Sequence, residues 1–416
     1  MAEDLKKAYR TIMEDQFPGK MEVAFIDGEK RTTLQYEKIT WVIDEIEKGL
    51  RYGENPGQQA ALYKLVNGNL VLGDVTTIEP GQYLVTDAEL LQFGKHPGKT
   101  NLTDADNALN ILRYLTDKPA VTIMKHNNPC GVAMADNLVD AYVKADLSDR
   151  VAAFGGCIAC NVPVDKATAE EIAKRYAEVV VAPDFEEGAV EVLKSRKNLR
   201  IMRIDNMNRL ADFAPMKSLE FKGLIDGGLV VQNSFTPLAR TKADLKIAET
   251  EYKGKGYKVE RAPTDAEYAD MLFGWMVEAG VTSNSVLYVK DLATVGIGTG
   301  EQDRVGVAEI ARDKAYRKMG DRLCFERHNM PFNDLKDADK KNEILAEVKE
   351  ANGNLKGSTM ISDAFFPFRD GIDVGLSEGV RSVLQPGGSM NDYQSIEACN
   401  EVGATMVFTG QRSFRH

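Results

Sequence analysis

The sequence predicts an α/β protein of two similar halves with a partly helical insertion. Helix and strand patterns alternate through 167–176, 178–181, 187–195 and 199–204, the order expected of a parallel-type sheet. Two stretches, 120–133 and 359–380, share one form: an apolar run, an abrupt polar switch, a Pro-containing loop and a helix. That recurrence points to an internal duplication. At 416 residues the chain is long for one core and suggests two to three domains of ordinary size. The pattern loosens after 210, which places a boundary near 225. The expected halves are 1–225, with an N-terminal extension, and 226–416, with a charged insertion at about 316–357.

Composition narrows the class. The chain is 43% hydrophobic and 28% charged, a globular balance. No apolar run approaches the roughly 20 residues of a membrane helix. The start, MAEDLKKAYR, lacks the apolar core of a signal peptide, so a cytoplasmic protein without a membrane partner is expected. The net charge of −11 argues against nucleic acid as a partner, since a basic patch supplies most of that affinity. Anionic small ligands are not excluded, because a few local Arg and Lys can reverse the field in one cleft. Five cysteines in so long a chain do not form a disulfide framework. With four histidines (His96, His126, His328 and His416), His126 is one of few candidate imidazole bases.

In order, apolar spacing predicts a helix over 4–17 and a strand at 21–26; 39–50 looks like a helix or a strand running into one. A loop follows from Arg51, which could hold an anion. Gly98-Lys99-Thr100 resembles a phosphate loop, but the glycine required five places earlier is Phe93, so that motif is rejected. Asn101 or Thr103 can cap a helix from about 104 to 115. The run 120–124 is a buried strand that turns polar at Lys125-His126 and breaks into a loop at Asn127, Asn128, Pro129 and Gly131. A helix over 136–149 and a small-residue strand over 151–161 come next. Cys157 and Cys160 have redox or half-zinc spacing but no partner ligands, and are assigned to packing. Beyond the boundary come a helix at 266–279, a hairpin turning near Asp291, a Gly-rich bend without dinucleotide spacing, and a helix. The insertion carries a helix at 336–348, and the last strands lie in 381–389 and 404–416.

Polar groups gather at three strand ends: Lys125-His126, Ser283-Asn284-Ser285, and the run from Phe365 to Asp370. An imidazole can take a proton from a weakly nucleophilic amine. A Lys ammonium and an Asn amide can hold the oxyanion formed when that amine attacks a carbonyl. No Ser or Cys has the neighbours of a covalent nucleophile, so direct acyl transfer is the simpler chemistry.

The segments RYGENP (51–56), KHNNPCG (125–131), SNSVLY (283–288), IGTGEQDRV (297–305), SDAFFPFRDG (362–371), QPGGS (385–389) and the terminal FRH are together similar to aminoimidazole carboxamide ribonucleotide (AICAR) transformylase. The resemblance runs from about residue 48 to the end, with the motifs in the family's order. It implies a pair of cytidine-deaminase-like α/β/α subdomains, working as a homodimer with active sites at the interface. It implies transfer of the formyl group of 10-formyltetrahydrofolate, the cosubstrate, to the 5-amino group of AICAR in purine (IMP) biosynthesis. By the same resemblance His126 assists deprotonation of the amine. Lys125 stabilises the oxyanion or protonates the leaving N10, and Asn284 binds the formyl oxygen. Phe365, Pro367 and Asp370 form the folate pocket. Arg51, Tyr52, Asn101 and Arg412 contact the nucleotide, with the arginines on its phosphate. A monovalent cation, potassium, falls near Ser283, Ser285 and Asp363.

Two departures qualify the match. Only 50 residues precede Arg51, so the cyclohydrolase domain of the bifunctional enzymes is expected to be absent and a separate IMP cyclohydrolase to act downstream. Gly57 stands where the family often has a histidine that touches substrate. That loss favours one alternative, an idle AICAR- or folate-binding protein; retention of Lys125, His126, Asn284 and Asp370 argues against it. Formylation from formate and ATP lacks a phosphate loop. A zinc deaminase would need His/Cys ligands and a Glu base.

Overall fold

The computed structural model describes residues 7–43, 45–73, 75–76 and 81–416. It divides into two compact units, Met1–Thr116 with Cys157–Thr236, and Asp117–Gly156 with Pro237–His416. The chain thus passes between units three times, the last at 236/237; the sequence places one boundary at 225/226.

In the first unit, Cys157–Cys160, Val179–Ala182 and Arg200–Arg203 are parallel, and Glu89–Gln92 joins antiparallel at the edge. The first two strands, CIAC and VVVA, are buried on both faces, as parallel sheets covered by helices require. Lys99–Leu112, Lys166–Ala173 and Ala189–Lys194 supply helices of this unit. Lys20–Asp27, Lys30–Ile39 and Leu62–Gly68 form a separate antiparallel sheet.

Four local expectations change here. Residues 4–6 of the expected 4–17 helix lie outside the described residues, and the rest holds one turn at Lys7-Ala8 before the chain leaves helical geometry. Met13 N–H donates to Arg51 O (2.9 Å) and Gln16 N–H to Gln59 Oε1 (3.0 Å). These tertiary bonds override a short pattern that is marginal alone. Within 39–50, Trp41–Ile43 and Ile46–Lys48 pair as strands; their β-branched residues fit a pleated surface. The helix expected at 104–115 begins at Lys99 after Gly98, and Asn101 sits in its first turn, accepting from Gly98 N–H (3.1 Å). The strand expected over 151–161 is confined to Cys157–Cys160.

The strands of the second unit lie side by side in the order Lys246–Ile247, Thr405–Phe408, Ser382–Gln385, Thr359–Ser362, Val286–Lys290, Ala293–Gly298, Asn128–Met134, Ala120–Lys125. Thr359–Ser362, Ser382–Gln385 and Thr405–Phe408 are parallel to one another, and the remaining pairs are antiparallel. The loop expected after Lys125 is instead a tight hairpin, with Asn128–Met134 returning along Ala120–Lys125. Arg304–His328 packs so closely on its strand that a Cβ at Gly296 would lie 2.3 Å from Ala311 O, and one at Gly298 2.2 Å from Val307 O. The Gly-rich bend therefore serves helix packing. The charged insertion is partly helical: Arg304–His328 extends into it and Ala338–Glu350 follows, over a small core of Met319, Leu323, Ile344 and Val348.

One succession of elements occurs twice along the chain: helix, hairpin, helix, strand, helix, strand, helix, strand. It runs from Lys99–Leu112 to Arg200–Arg203, and again from Asp265–Glu278 to Thr405–Phe408, with Ala338–Glu350 added in the second copy. The hairpin 120–134 corresponds to 286–298, and Thr359–Ser362 to Cys157–Cys160. The sequence likeness between 120–133 and 359–380 therefore pairs elements that are not equivalent.

Candidate active site

Lys125 ends its strand, and His126 (φ 51°) and Asn127 (φ 60°) make the two-residue reversal before Asn128. Two positive φ values define the hairpin turn whose twist matches the strands it joins. Lys125 Nζ donates to Gly155 O (2.8 Å). No bond holds the His126 ring among the described residues. A cavity of about 280 Å³ opens beside the pair, lined also by Asn128, Cys130, Asp149, Lys314 and Lys318, with Lys318 paired to Asp149 at 2.6 Å.

Asn128 brings two of the predicted strand ends together. Its Oδ1 accepts from Thr282 N–H (2.9 Å) and Thr299 Oγ1 (3.0 Å), tying the hairpin tip to the segment that enters Ser283. Arg415 reinforces the link by donating to Asn127 O (3.3 Å) and Gly280 O (3.1 Å).

Asn284, after a cis Ser283–Asn284 peptide, presents Oδ1 to Arg304 NH2 at 2.8 Å. This fixes which end of the amide is the acceptor and leaves Nδ2 as the free donor end. Arg304 also donates to Asp363 Oδ1, Ser285 O (3.1 Å) and Ser362 Oγ (3.2 Å). Buried Asp363 accepts in addition from Ser283 Oγ (2.5 Å) and Ser285 N–H (3.2 Å). The C-terminal segment closes over this cluster: Ser413 N–H donates to Asp363 O (2.8 Å) and Arg415 N–H to Ser283 Oγ (3.1 Å). Ser285 Oγ and both carboxyl oxygens of Glu278 are fully buried and make no hydrogen bond of good geometry, but the Ser285 hydroxyl and the Asp363 N–H lie against that carboxyl and favour its charged form. Burial, and then the charge of Asp363, push the Glu278 carboxyl well above the usual carboxylate range.

The loop after Asp363 alternates its aromatics. Phe366 is fully buried in the core, while Phe365, Pro367 and Phe368 are exposed. Asp370 is exposed and accepts from Gly371 N–H (2.8 Å) at the start of Asp370–Leu376. Arg412 is exposed and stacks on Phe414 (4.7 Å).

The first unit holds Arg51, Tyr52 and Asn101. Arg51 is buried, stacks on Tyr52 (4.5 Å) and donates to Tyr9 O (3.3 Å) and Lys95 O (3.1 Å), with its Nε unpartnered. Arg200, only 1% exposed, holds Lys95 O (3.3 Å), His96 O (3.2 Å) and Glu178 O (3.3 Å). Burial first, then Arg51, lowers its pKa to about 10. Asn101 Nδ2 donates to Glu178 Oε2 (3.0 Å). A cavity of about 400 Å³ is lined by Arg51, Tyr52, Arg200, Glu178, Arg10, Lys95 and Tyr9. Four cationic side chains against one carboxylate give this cavity a positive field. Gly57 turns its loop at φ 94°, where any other residue would be strained, so the glycine answers to turn geometry.

Sequence reasoning missed Arg200, Arg304 and Asn128. Arg304 lies within a quoted motif, IGTGEQDRV, whereas Arg200 leaves no signal in its strand RIMR. Burial drives the Cys157 thiol well up and that of Cys160 up to about 12, which agrees with a packing role. No group of three or more His, Cys, Asp or Glu that could hold a metal occurs among the described residues. No helix among them is long and apolar enough to cross a membrane.

The AICARFT/IMPCHase bienzyme family model matches residues 7–314. The Bifunctional purine biosynthesis protein PurH of Thermoanaerobacter sp. (strain X514) is 36% identical over 387 residues, which are 93% of this chain and 62% of that protein. Its namesake from Ruegeria sp. (strain TM1040) is 39% identical over 374 residues, 89% of this chain and 60% of that protein. The chain spans about 60% of the length of these curated relatives. With most of its length matched by the family model and more than a third of its aligned residues identical to these relatives, the chain belongs to the AICARFT/IMPCHase bienzyme family.

Proposed function

We propose that this chain transfers the formyl group of 10-formyltetrahydrofolate to the 5-amino group of AICAR. The observation that carries the reading is the Asn128 tie, which sets the Lys125-His126 hairpin beside the Ser283-Asn284-Ser285 segment in one rigid frame. The unbonded His126 ring is available to take the amine proton. Lys125, held by one of its three donors, keeps two for the oxyanion or for the leaving N10. Asn284, oriented by Arg304, offers Nδ2 to the formyl oxygen. Exposed Phe365 and Pro367, with Asp370, suit the face and polar edge of a pterin-like ring. The Arg51–Arg200 cavity suits the nucleotide phosphate. Exposed Arg412 is a separate candidate for the same group.

The reading includes a homodimer with sites at its interface. It also includes a monovalent cation, potassium, beside Ser283, Ser285 and Asp363. The buried Ser285 hydroxyl fits that ion, whose chemistry is to fix the loop bearing Asn284. Ring closure to IMP is assigned to a separate cyclohydrolase.

Purified chain, AICAR and 10-formyltetrahydrofolate should release tetrahydrofolate and one formylated nucleotide. Intact binding of both substrates without turnover at high enzyme concentration would replace this reading with that of an idle binder. IMP as the direct product would overturn the separate assignment of ring closure.

A further inference from the structure

The N-terminal segment is fastened to Arg51 at two points. Arg51 NH1 donates to Tyr9 O (3.3 Å), and Arg51 O accepts from Met13 N–H (2.9 Å). Farther on, Gln16 N–H donates to Gln59 Oε1 (3.0 Å), and Asp15 pairs with Lys38, both side chains largely buried. Around the first tie the chain makes a closed turn, in which Lys7 O accepts from Arg10 N–H (3.0 Å), Thr11 N–H (3.1 Å) and Thr11 Oγ1 (2.9 Å). The turn fixes the backbone of Arg10. Its exposed side chain lines the Arg51–Arg200 cavity and has no hydrogen bond or ion pair among the described residues.

Such a gathering of cations is costly until an anion joins it. Arg51 and Arg200 are 7% and 1% exposed, and the Nε of each is buried without a partner. Glu178 is the one carboxylate among the described lining residues; it lies 3.6 Å from Arg200 and also accepts from Asn101 (3.0 Å). With Arg10 and Lys95, four positive charges against one negative leave +3. The helix Lys99–Leu112 begins alongside, since a Cβ at Gly98 would lie 3.7 Å from Arg51 NH2, and its positive end adds to the same field.

We propose that Arg10 is a substrate-binding residue: its guanidinium, with Arg51 and Arg200, holds the phosphate of a phosphomonoester, and the segment 7–16 is the strap that positions it. The inference rests on the phosphate reading of this cavity given above and adds to it a residue from outside the RYGENP motif. Arg51 NH1 and Arg200 NH2 are already directed at backbone carbonyls, whereas Arg10 keeps its full set of donors. A planar guanidinium matches two phosphate oxygens at once. Charge sets the class of ligand. A phosphomonoester, largely dianionic at neutral pH, offsets two of the three surplus charges, and a carboxylate only one.

The test titrates the whole 416-residue chain calorimetrically with AICAR and with its nucleoside, which lacks the phosphate. Wild type should bind the nucleotide far more tightly than the nucleoside. Arg10→Ala should cut that preference about tenfold, the worth of one charge-assisted hydrogen bond, and leave nucleoside affinity unchanged. Arg10→Glu should cut it further by repelling the phosphate, and Arg10→Lys should recover part of it. Equal losses for nucleotide and nucleoside would overturn the phosphate contact and leave the strap a structural element. An unchanged preference in Arg10→Ala and Arg10→Glu would also overturn the inference, and Arg51→Ala then separates the two readings. A lowered preference in Arg51→Ala would leave the phosphate reading of the cavity standing without Arg10. An unchanged one, or no preference in wild type, would remove both together.

Discussion

In the hairpin 120–134 the chain reverses through His126 and Asn127, and in the hairpin 286–298 through Asp291 and Leu292. All four residues have positive φ, from 51° to 60°. Each turn follows a lysine, Lys125 or Lys290, and each returning strand carries a glycine beneath the helix that follows. A Cβ at Gly131 would lie 2.0 Å from Ala145 O, as one at Gly296 would lie 2.3 Å from Ala311 O. The two turns are used differently. Asp291 and Leu292 donate their N–H groups to Asp270 (3.1 and 2.8 Å), and Lys290 donates to Lys356 O (2.9 Å). That turn is tied into its surroundings. The first leaves the His126 ring free beside a cavity. One supersecondary plan thus yields a tied corner in one copy and, in the other, the corner proposed to be reactive, according to which side chains are left without partners.

The sharpest way to break this comparison is to remove the reactive side chain. His126→Ala should lower kcat at least ~10²-fold, the usual scale for a general base, with an unchanged thermal midpoint. Asp291→Ala, at the matching position of the other turn, should leave kcat near wild type. A His126→Ala effect confined to KM would cancel the assigned role.

Next in size are the two glycines. Gly131→Ala and Gly296→Ala each place a methyl against helix backbone that cannot swing aside. Each should cost about 1–3 kcal/mol in denaturant unfolding, the range for overpacking. Only Gly131→Ala should also depress kcat, because it shifts the strand that returns from His126. Equal losses of kcat would mean the two hairpins are not functionally distinct.

Asn128→Ala removes the tie to Thr282 and Thr299 without touching the reacting groups. About a tenfold fall in kcat at nearly constant KM is expected, because misplacement of a catalytic group lowers the reactive fraction rather than binding. Asn128→Asp keeps the acceptor and should recover most of the rate, which a purely structural role would not require.

These residues also show where the sequence was legible. The hydrophobic run ending at Lys125-His126 announces a strand end carrying polar groups, and the later strands and helices follow from period and turn chemistry. The hairpin after Lys125 was missed because Pro129 reads as a loop signal. Its strand pairing survives through a register shift between Pro129 and Gly131. Asn101 was read as a cap, and reaches back from inside the helix instead, since the same side chain serves either end of that exchange. Asn128, Arg200 and Arg304 take their meaning from partners far away in the chain, such as Thr282 for Asn128 and Lys95 for Arg200, and no local pattern carries such contacts.

The smallest expected effect tests the structural hairpin. Asp270 is half-buried, accepts from both turn N–H groups, and has its pKa raised above the ordinary 3.8, chiefly by burial. A folded-state pKa raised in this way means the native protein holds the proton more tightly than the unfolded chain. The resulting stabilisation is complete below 3.8 and is lost as pH rises through the folded value. Asp270→Asn keeps one acceptor, loses the other and cannot titrate. At neutral pH it should cost about 1 kcal/mol, the worth of one hydrogen bond, partly offset by relief of the buried charge. The stability gap to wild type should widen as pH falls toward 3.8, and kcat should not move. A gap that narrows on acidification would show that Asp270 is held ionised by its two N–H donors. A fall in kcat would show that the second turn supports catalysis as well as structure.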